Sequence, residues 1–400
     1  MNVHAVLRIQ RPIESGATPP NRPPEENPGN TPRDPGRPVA GQPLPKYMPE
    51  LDGLRAVAVG AVMLYHLNPR SDWFSLGWTG VVLFFVLSGF LITGILVDSA
   101  GAPAALAGFY ARRALRILPI YYLSLVVVTI WAAVHHEPLS DLRYYLTYTQ
   151  NYLLGATDFR PAFPLLLNHT WSLAVEQQFY VLWPLVALRL RPRRLLAVAV
   201  ALLVLATALR ALILFDLRSP GLIYTSLPTQ MDSLAAGAAL AILVRVVPDP
   251  RSLARPALGL MAAAGAVLLV LIHADGLAAF WHMETWGSEP LDIPFLTLLA
   301  LLFSGLLAVS VLGSPSGLLP SLLRLALPRH LGRISYGLYM YHFPAYFLVD
   351  RLIWGYLPQQ DGRLEQLAPP AAKLLLAYLL ALASWQLIES PLSRLKSRLS

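Results

Sequence analysis

The chain has 400 residues, of which 55% are hydrophobic and only 14% are charged, whereas soluble domains carry about 25% charged residues. This composition excludes a soluble globular protein and indicates a chain that crosses the membrane several times. The formal net charge of +8 requires no nucleic acid, because anionic lipid head groups and the cytoplasmic bias of Lys and Arg account for it. The absence of cysteine excludes disulfides, thiolate metal sites and a cysteine-linked acyl intermediate.

The first 46 residues are rich in Pro, Gly, Asn and Arg and predict a disordered cytoplasmic tail, because they cannot bury enough apolar surface to fold alone. A tail of this kind could dock into an aromatic-lined groove, but a plain spacer is the simpler interpretation. The membrane domain is predicted over residues 47–391, followed by a short basic cytoplasmic C-terminus over residues 392–400.

Ten apolar segments, each long enough to approach a hydrocarbon core of about 30 Å, predict an all-α transmembrane bundle. The loops on the same side of the membrane as the N-terminus carry more Lys and Arg than the loops on the other side. This excess predicts that both termini are cytoplasmic, in a protein of the bacterial inner (plasma) membrane. The predicted spans cover residues 51–67, 78–98, 117–134, 170–188, 195–214, 226–244, 256–274, 292–312, 334–354 and 371–388.

The first predicted span carries an arginine and a histidine, Arg55 and His66. Their separation of eleven positions puts them on nearly the same helix face, about 16 Å apart along the axis. Ionisable groups inside a membrane are costly and usually line a substrate path or a reaction site. One helix face could therefore hold two ends of a long ligand.

The second predicted span contains the small residues Gly80, Ser88, Gly89 and Gly94. Small residues let neighbouring helix backbones approach closely, so helix packing is the first interpretation. The alternative is that Ser88 and the glycines line a tunnel.

Two arginines, Arg113 and Arg116, lie three positions apart before the third predicted span and can share a helix face. The positive-inside rule alone explains arginines at this place. However, guanidinium groups bind phosphates in a bidentate manner, which lysine does not. A phosphorylated ligand that enters from the cytoplasm would meet this pair together with Arg55.

The fourth predicted span contains a carboxylate, Glu176, with Ser172 and Tyr180 four residues to either side on one helical stripe. A structural ion pair between helices is one interpretation. Because the first and fourth spans run in opposite directions, we also expect Glu176 to lie at the depth of His66. A carboxylate beside this imidazole would make it a better general base.

Asp232 and His342 are two further polar groups within predicted spans. Each could be a hydrogen-bonded core residue or a substrate-binding residue. The sequence His135–Glu137 does not predict a metal site, because its two histidines are adjacent and lie in a loop. No metal is expected.

Six segments of this chain, taken in order, resemble the acyltransferase-3 family of integral-membrane O-acyltransferases over residues 47–391. The resemblance implies about ten spans and the transfer of an acyl group, commonly acetyl, from cytoplasmic acyl-CoA to a hydroxyl group. The segments are YMPELDGLRAVAVGAVMLYH, FFVLSGFLITGIL, FYARRALRILPIYYL, TWSLAVEQQFYVLWP, MDSLAAGAALA and LGRISYGLYMYHFP.

The resemblance also implies roles for individual residues. Arg55, Arg113 and Arg116 would bind the CoA phosphates, His66 would be the catalytic base and Glu176 would support it. Acyl-CoA, most simply acetyl-CoA, would be the donor substrate, and no permanently bound cofactor is expected. The residues expected to bind the acceptor are Ser172, Tyr180, Asp232 and His342.

The sequence leaves the acceptor and the route of transfer open. A glycan or lipid-linked sugar and a macrolide-like metabolite are both compatible acceptors, and direct transfer competes with an acyl-His intermediate. Some relatives carry a hydrolase-like domain after the bundle, and Gln230 stands where many of them have a basic residue. Because this chain ends at Ser400, we expect transfer to finish inside the bundle or on a separate protein. The competing function is a transporter that uses the same groups as a proton relay.

Overall fold

The computed structural model describes residues 45, 47–68, 74–217, 219–275, 292–354 and 363–396, and the structural statements below concern this part of the chain. This part is helical, as predicted, and contains no strand. The predicted disordered tail lies outside the described residues except for Pro45. The α-helices are α1 (Pro49–Leu67), α2 (Gly80–Asp98), α3 (Ala105–Val134), α4 (Leu142–Leu146), α5 (Gln150–Ala156), α6 (Trp171–Ala187), α7 (Pro192–Leu212), α8 (Pro220–Thr225), α9 (Leu227–Val246), α10 (Ala254–Asp275), α11 (Asp292–Leu312), α12 (Leu318–Leu323), α13 (Ala326–Arg333), α14 (Ser335–Leu348), α15 (Arg363–Ser384) and α16 (Ser390–Lys396).

Seven helical segments within the described ranges are long and apolar enough to cross a membrane, so the predicted count of ten is not confirmed. Helices α1, α6 and α14 also form where spans were predicted, but α1 begins with three charged residues in its first two turns, and α6 and α14 have 17 and 14 residues. The seven segments are Ser75–Asp98, Ala105–Val134, Pro192–Asp216, Pro220–Val246, Pro250–Ala274, Ile293–Leu312 and Ala368–Arg394.

Helix α3 is longer than the predicted third span, because it begins at Ala105 rather than near residue 117. The added segment is rich in Ala, Leu and Arg, all of which favour the helix. Arg113 and Arg116 therefore lie on the helix itself, about one turn apart.

Helices α2 and α9 pack with their backbones in direct contact. A Cβ atom on Gly89 would collide with the carbonyl oxygen of Leu234, and one on Gly237 would collide with the carbonyl oxygen of Val86. This agrees with the packing interpretation of Gly89 and uses the small-residue contacts common in membrane bundles.

Two ion pairs join helices at the end of the bundle where α1 begins and α2 and α9 end. Arg245 donates to both carboxylate oxygens of Asp98, with its Nη2 2.6 Å from Oδ2. Arg324 donates to Glu50 from Nε at 2.7 Å. These contacts fix α9 against α2, and the residue after α12 against the first turn of α1.

Candidate functional site

A cavity that we call the arginine cavity lies between α1, α2, α3, α6 and α14. Arg55, Arg113 and Arg116 all line it, so the structure brings together the three arginines singled out in the sequence. Arg55 contacts Asp52 at 3.3 Å, whereas Arg113 and Arg116 have no ion-pair partner among the described residues. An anionic ligand would therefore meet guanidinium groups with unused donors.

Two hydrogen bonds and a cation–π contact connect the carboxylate of Glu176 to this arginine cluster. Ser88 donates to Oε1 of Glu176, and the hydroxyl of Tyr180 donates to Ser88 Oγ at 2.9 Å. The Tyr180 ring lies 5.7 Å from the guanidinium carbon of Arg113, which is within cation–π range. Ser88 thus lines the cavity, as the tunnel interpretation requires, and all four side chains belong to its wall.

The sequence predicts that Glu176 lies beside His66, but the structure shows no hydrogen bond between them. The hydrogen-bond partner of Glu176 is Ser88, and that of His66 is His342. His66 is one residue from the end of α1, whereas Glu176 is five residues past the start of α6. Each of the two groups has another partner in this structure, and the support of His66 by Glu176 stays a prediction.

The ring of His66 forms a hydrogen bond with the ring of His342, with His66 Nδ1 3.0 Å from His342 Nε2. His342 Nδ1 lies 2.7 Å from the backbone carbonyl of Tyr339. A carbonyl can only accept, so His342 carries its proton on Nδ1 and, when neutral, accepts at Nε2. His66 then donates from Nδ1, which leaves its Nε2 with a free lone pair. This is the arrangement that a general base requires.

Tyr339 and three neighbours form what we call the central layer, which consists of Ser172, His169, Tyr339 and His342. The Tyr339 hydroxyl donates to the carbonyl oxygen of His169 at 2.7 Å and lies 2.6 Å from Ser172 Oγ. Ser172 and Tyr339 line the arginine cavity, while His342 contacts His66. The layer therefore separates the arginine cavity from His66.

His169 was missed in the sequence. Its side chain is buried, its ring centroid lies 4.9 Å from that of His342, and it stacks on Phe343 at 5.3 Å. Neither ring nitrogen has a hydrogen-bond partner among the described residues. It lies in the 3₁₀ turn before α6, outside the predicted span. No spacing in the sequence singles it out, because its contacts with His342 and Phe343 depend on how this turn packs against α14.

A second cavity, which we call the histidine cavity, has a volume of about 500 Å³ and contains His66 in its wall. Helices α1 and α3 supply both cavities from opposite ends: Arg55 and Arg116 line the arginine cavity, whereas His66 and Trp131 line the histidine cavity. The two cavities therefore lie on opposite sides of the central layer. The wall of the histidine cavity consists of His66, Trp131, Glu137, Pro161, Ala162, Phe163, Pro164, Leu166, Phe343, Tyr346, Phe347 and Asp350.

Asp232 lies apart from the other candidate residues. It is fully buried and pairs with Arg210, whose Nη2 is 2.7 Å from Oδ2, and the Thr297 hydroxyl donates to the same oxygen at 2.6 Å. Asp232 lines neither cavity. The structure therefore favours the core interpretation, in which this pair joins α7, α9 and α11.

No group of three or more His, Asp or Glu residues in the described ranges could hold a metal ion. His135 instead contacts the carbonyl oxygen of Trp131 through Nδ1 at 2.8 Å. Glu137 belongs to the wall of the histidine cavity.

Comparison with known proteins gives a consistent result. Residues 48–389 match the acyltransferase domain family. The chain is 30% identical over 374 residues to the peptidoglycan O-acetyltransferase OatA of Listeria monocytogenes, covering 87% of this chain and 56% of that protein. It is 30% identical over 370 residues to the putative peptidoglycan O-acetyltransferase YrhL of Bacillus subtilis, covering 87% of this chain and 55% of that protein.

A third relative is the O-acetyltransferase OatA of Staphylococcus aureus, to which the chain is 29% identical over 369 residues, covering 88% of this chain and 58% of that protein. The chain thus spans just over half the length of these curated relatives. No solved structure matches it.

Proposed function

Because the chain belongs to the acyltransferase-3 family of membrane O-acyltransferases, we propose that it transfers an acetyl group from acetyl-CoA to a hydroxyl group of a glycan. The observation that carries this proposal is the pair of cavities on opposite sides of one polar layer. The arginine cavity suits an anionic donor, and the histidine cavity presents a base. The names of the relatives favour acetyl as the acyl group and a glycan as the acceptor.

The donor would occupy the arginine cavity. Its phosphates would bind Arg55, Arg113 and Arg116, which offer bidentate hydrogen bonds. The pantetheine arm would extend along the cavity toward Tyr339 and Ser172. The distance of about 16 Å between the α1 positions of the arginine and the histidine suits an arm of this length.

His66 would act as the general base in the histidine cavity. Its Nε2 would take the proton of the acceptor hydroxyl as the oxygen attacks the thioester carbon. The C–S bond then breaks, CoA leaves as a thiolate and is reprotonated, and the acceptor gains an acetyl ester. General base catalysis of this kind contributes about 10² to 10⁴-fold.

The acyl group has to pass the central layer to reach His66. The hydrogen bond between Ser172 and Tyr339 must therefore open during the reaction, whether the acyl group moves directly to the acceptor or first to the imidazole. The two routes differ in one respect: without acceptor, only an acyl-His66 intermediate would leave labelled acetate on the protein. Glu176, through Ser88, would hold the arginine cluster in place for the donor.

The acceptor would bind in the histidine cavity. Trp131, Phe343 and Phe347 provide aromatic faces on which a sugar ring can pack, and Glu137 can accept hydrogen bonds from sugar hydroxyls. In the predicted orientation, with both termini in the cytoplasm of the plasma membrane, this cavity faces outward. The arginine cavity then faces the cytoplasm, where acetyl-CoA is available.

Donor binding by the purified protein in detergent tests the proposal without an identified acceptor. Acetyl-CoA should stabilise the wild type against heat in a saturable manner. The variant His66→Ala should keep this stabilisation, and Arg113→Ala should lose most of it. Arg112→Ala, on the neighbouring position outside the arginine cavity, is the matched control.

Transfer is then measured in membrane vesicles supplied with labelled acetyl-CoA, as the label that becomes an alkali-labile ester. The wild type should form the ester and His66→Ala should not. If no acyl-CoA stabilises the folded protein, the donor assignment fails and the competing function as a transporter gains support. Normal ester formation by His66→Ala would exclude His66 as the base.

A further inference from the structure

A third cavity lies beside the arginine cavity, at the ends of α1 and α3 that are predicted to face the cytoplasm. We call it the mouth cavity, and its volume is about 250 Å³. Arg55 and Arg116 line both cavities, so the two meet at these guanidinium groups. The polar and aromatic side chains of the mouth cavity that matter here are Asp52, Arg55, Arg116, Arg333, Trp385 and Glu389.

The arginines divide between the two cavities. Arg113 lines only the arginine cavity, and Arg333 lines only the mouth cavity. Arg333 is the last residue of α13, is exposed, and has no ion-pair partner among the described residues. A ligand held at Arg55 and Arg116 could therefore extend in two directions and meet another arginine in each.

The balance of charge in the mouth cavity favours an anion. Of its two carboxylates, Asp52 already contacts Arg55 at 3.3 Å and accepts a hydrogen bond from the hydroxyl of Tyr47 at 2.9 Å. In total, the wall of the mouth cavity contains three arginines and two carboxylates, Asp52 and Glu389. Neither Arg116 nor Arg333 forms an ion pair with a carboxylate of the described residues, and Arg333 is the one of the two that lies outside the arginine cavity.

An aromatic face stands in the wall of the same cavity. Trp385 begins the π-helical segment Trp385–Glu389 between α15 and α16, and its half-buried ring packs against the main hydrophobic core. A ring held on one side by the core can stack a planar base on its open side. Glu389, on the same segment, can accept a hydrogen bond from an amino group of such a base.

We propose that the mouth cavity binds the 3′-phosphorylated adenosine end of CoA, with Arg333 on the 3′-phosphate and Trp385 against the adenine. This inference rests on the proposed function. With the pyrophosphate at Arg55 and Arg116 and the pantetheine arm in the arginine cavity, the nucleoside has to continue in the other direction. That direction is the mouth cavity.

The phosphate of an anionic lipid has the same chemistry and is the competing ligand, because exposed arginines on the cytoplasmic side commonly contact lipid head groups. Two observations favour the nucleotide. The mouth cavity shares two arginines with the arginine cavity. It also offers an aromatic face, which can stack on a base but not on a lipid phosphate.

Comparison of CoA with dephospho-CoA, which lacks only the 3′-phosphate, tests the role of Arg333. Thermal stabilisation of the full chain in detergent gives both affinities. The wild type should bind CoA about tenfold more tightly, as expected for charge-assisted hydrogen bonds. Arg333→Gln should reduce this preference to less than about twofold by weakening CoA alone, and Arg333→Lys should keep part of it. Arg193→Gln, an exposed arginine at the start of α7 outside the described cavities, should keep the full preference.

The role of Trp385 is tested with the same two ligands. Trp385→Ala should weaken CoA and dephospho-CoA by the same factor, about five- to tenfold, because both contain adenine. Trp385→Phe keeps an aromatic face and should recover most of the affinity. If Trp385→Ala binds CoA and dephospho-CoA as tightly as the wild type does, the adenine assignment is contradicted.

The proposal is wrong if the wild type does not distinguish CoA from dephospho-CoA, or if Arg333→Gln weakens both equally. It is also wrong if Arg333→Gln keeps the preference for CoA but loses stabilisation by phosphatidylglycerol vesicles relative to phosphatidylcholine vesicles, because the ligand is then a lipid. In each of these outcomes CoA still binds and Arg113→Ala still weakens it, so the proposed function survives. Failure of the wild type to bind any CoA compound would overturn both.

Discussion

The arginine cavity and the histidine cavity are built largely from the same helices, yet their walls differ in charge. The arginine cavity holds three arginines and one carboxylate, whereas the described wall of the histidine cavity holds Glu137 and Asp350, five Phe, Tyr or Trp side chains and no arginine or lysine. Because α1, α3 and α14 contribute to both, opposite ends of one helix set carry different chemistry. Two ligands of different charge can thus approach the central layer from opposite sides without competing for one site.

Replacing His66 should have the largest effect and should be confined to the acceptor side. We expect His66→Gln to lower ester formation by about 10² to 10⁴-fold, because glutamine cannot accept and hold the proton of the acceptor. Acetyl-CoA affinity should stay within about twofold of wild type. The rate is measured as alkali-labile ester in membrane vesicles, and His273→Gln, an exposed histidine on α10, is the control. Loss of donor affinity in His66→Gln would show that the two cavities are not separate.

Replacing His342 should have a smaller effect of the same kind. Its Nε2 accepts a hydrogen bond from the N–H at His66 Nδ1 and so keeps the other nitrogen of His66 free to act as the base. Loss of a hydrogen bond to a reacting group should lower ester formation by about 10 to 100-fold in His342→Phe. Tyr341→Phe, which removes a hydroxyl on the neighbouring position of α14, should be close to wild type. Equal activity of His342→Phe and wild type would exclude this role for His342.

Replacing Arg116 should act on the donor side alone. We expect Arg116→Gln to weaken acetyl-CoA binding about tenfold, the value of one charge-assisted hydrogen bond to phosphate. Arg112→Gln, on the same helix but outside the cavities, should bind normally. Thermal stabilisation by acetyl-CoA provides both values. If Arg112→Gln and Arg116→Gln lose affinity equally, general cytoplasmic charge rather than the cavity attracts the donor.

The sequence predicts which residues carry chemistry better than it predicts which of them meet. Arg55, Arg113 and Arg116 could be grouped in advance, because spacing and the positive-inside rule place them at one end of the bundle. The contact between His66 and His342 could not, since it depends on how α1 packs against α14.

Two other features show the same limit. Glu176 was paired with His66 from the helix directions alone, whereas the structure gives it a hydrogen bond from Ser88 on helix α2. Asp232 looked like the other candidates, but its partner Arg210 lies on a different helix, and only packing brings the two together. The predicted count of ten spans is not confirmed, and the three predicted spans that are absent from the seven described segments correspond to α1, α6 and α14, which carry site residues.

The smallest expected effect is on acceptor binding, and it sharpens the contrast between the cavities most directly. Trp131 lies in the histidine cavity, about five turns from Arg113 on the same helix α3. If it packs against a sugar ring, Trp131→Ala should raise the acceptor concentration for half-maximal ester formation by about three- to tenfold, as for loss of an aromatic contact. Trp131→Phe should recover most of this loss, and acetyl-CoA affinity should be unchanged in both. A lower maximal rate with an unchanged acceptor requirement would instead assign Trp131 to the support of His66, and the histidine cavity would then need another acceptor-binding wall.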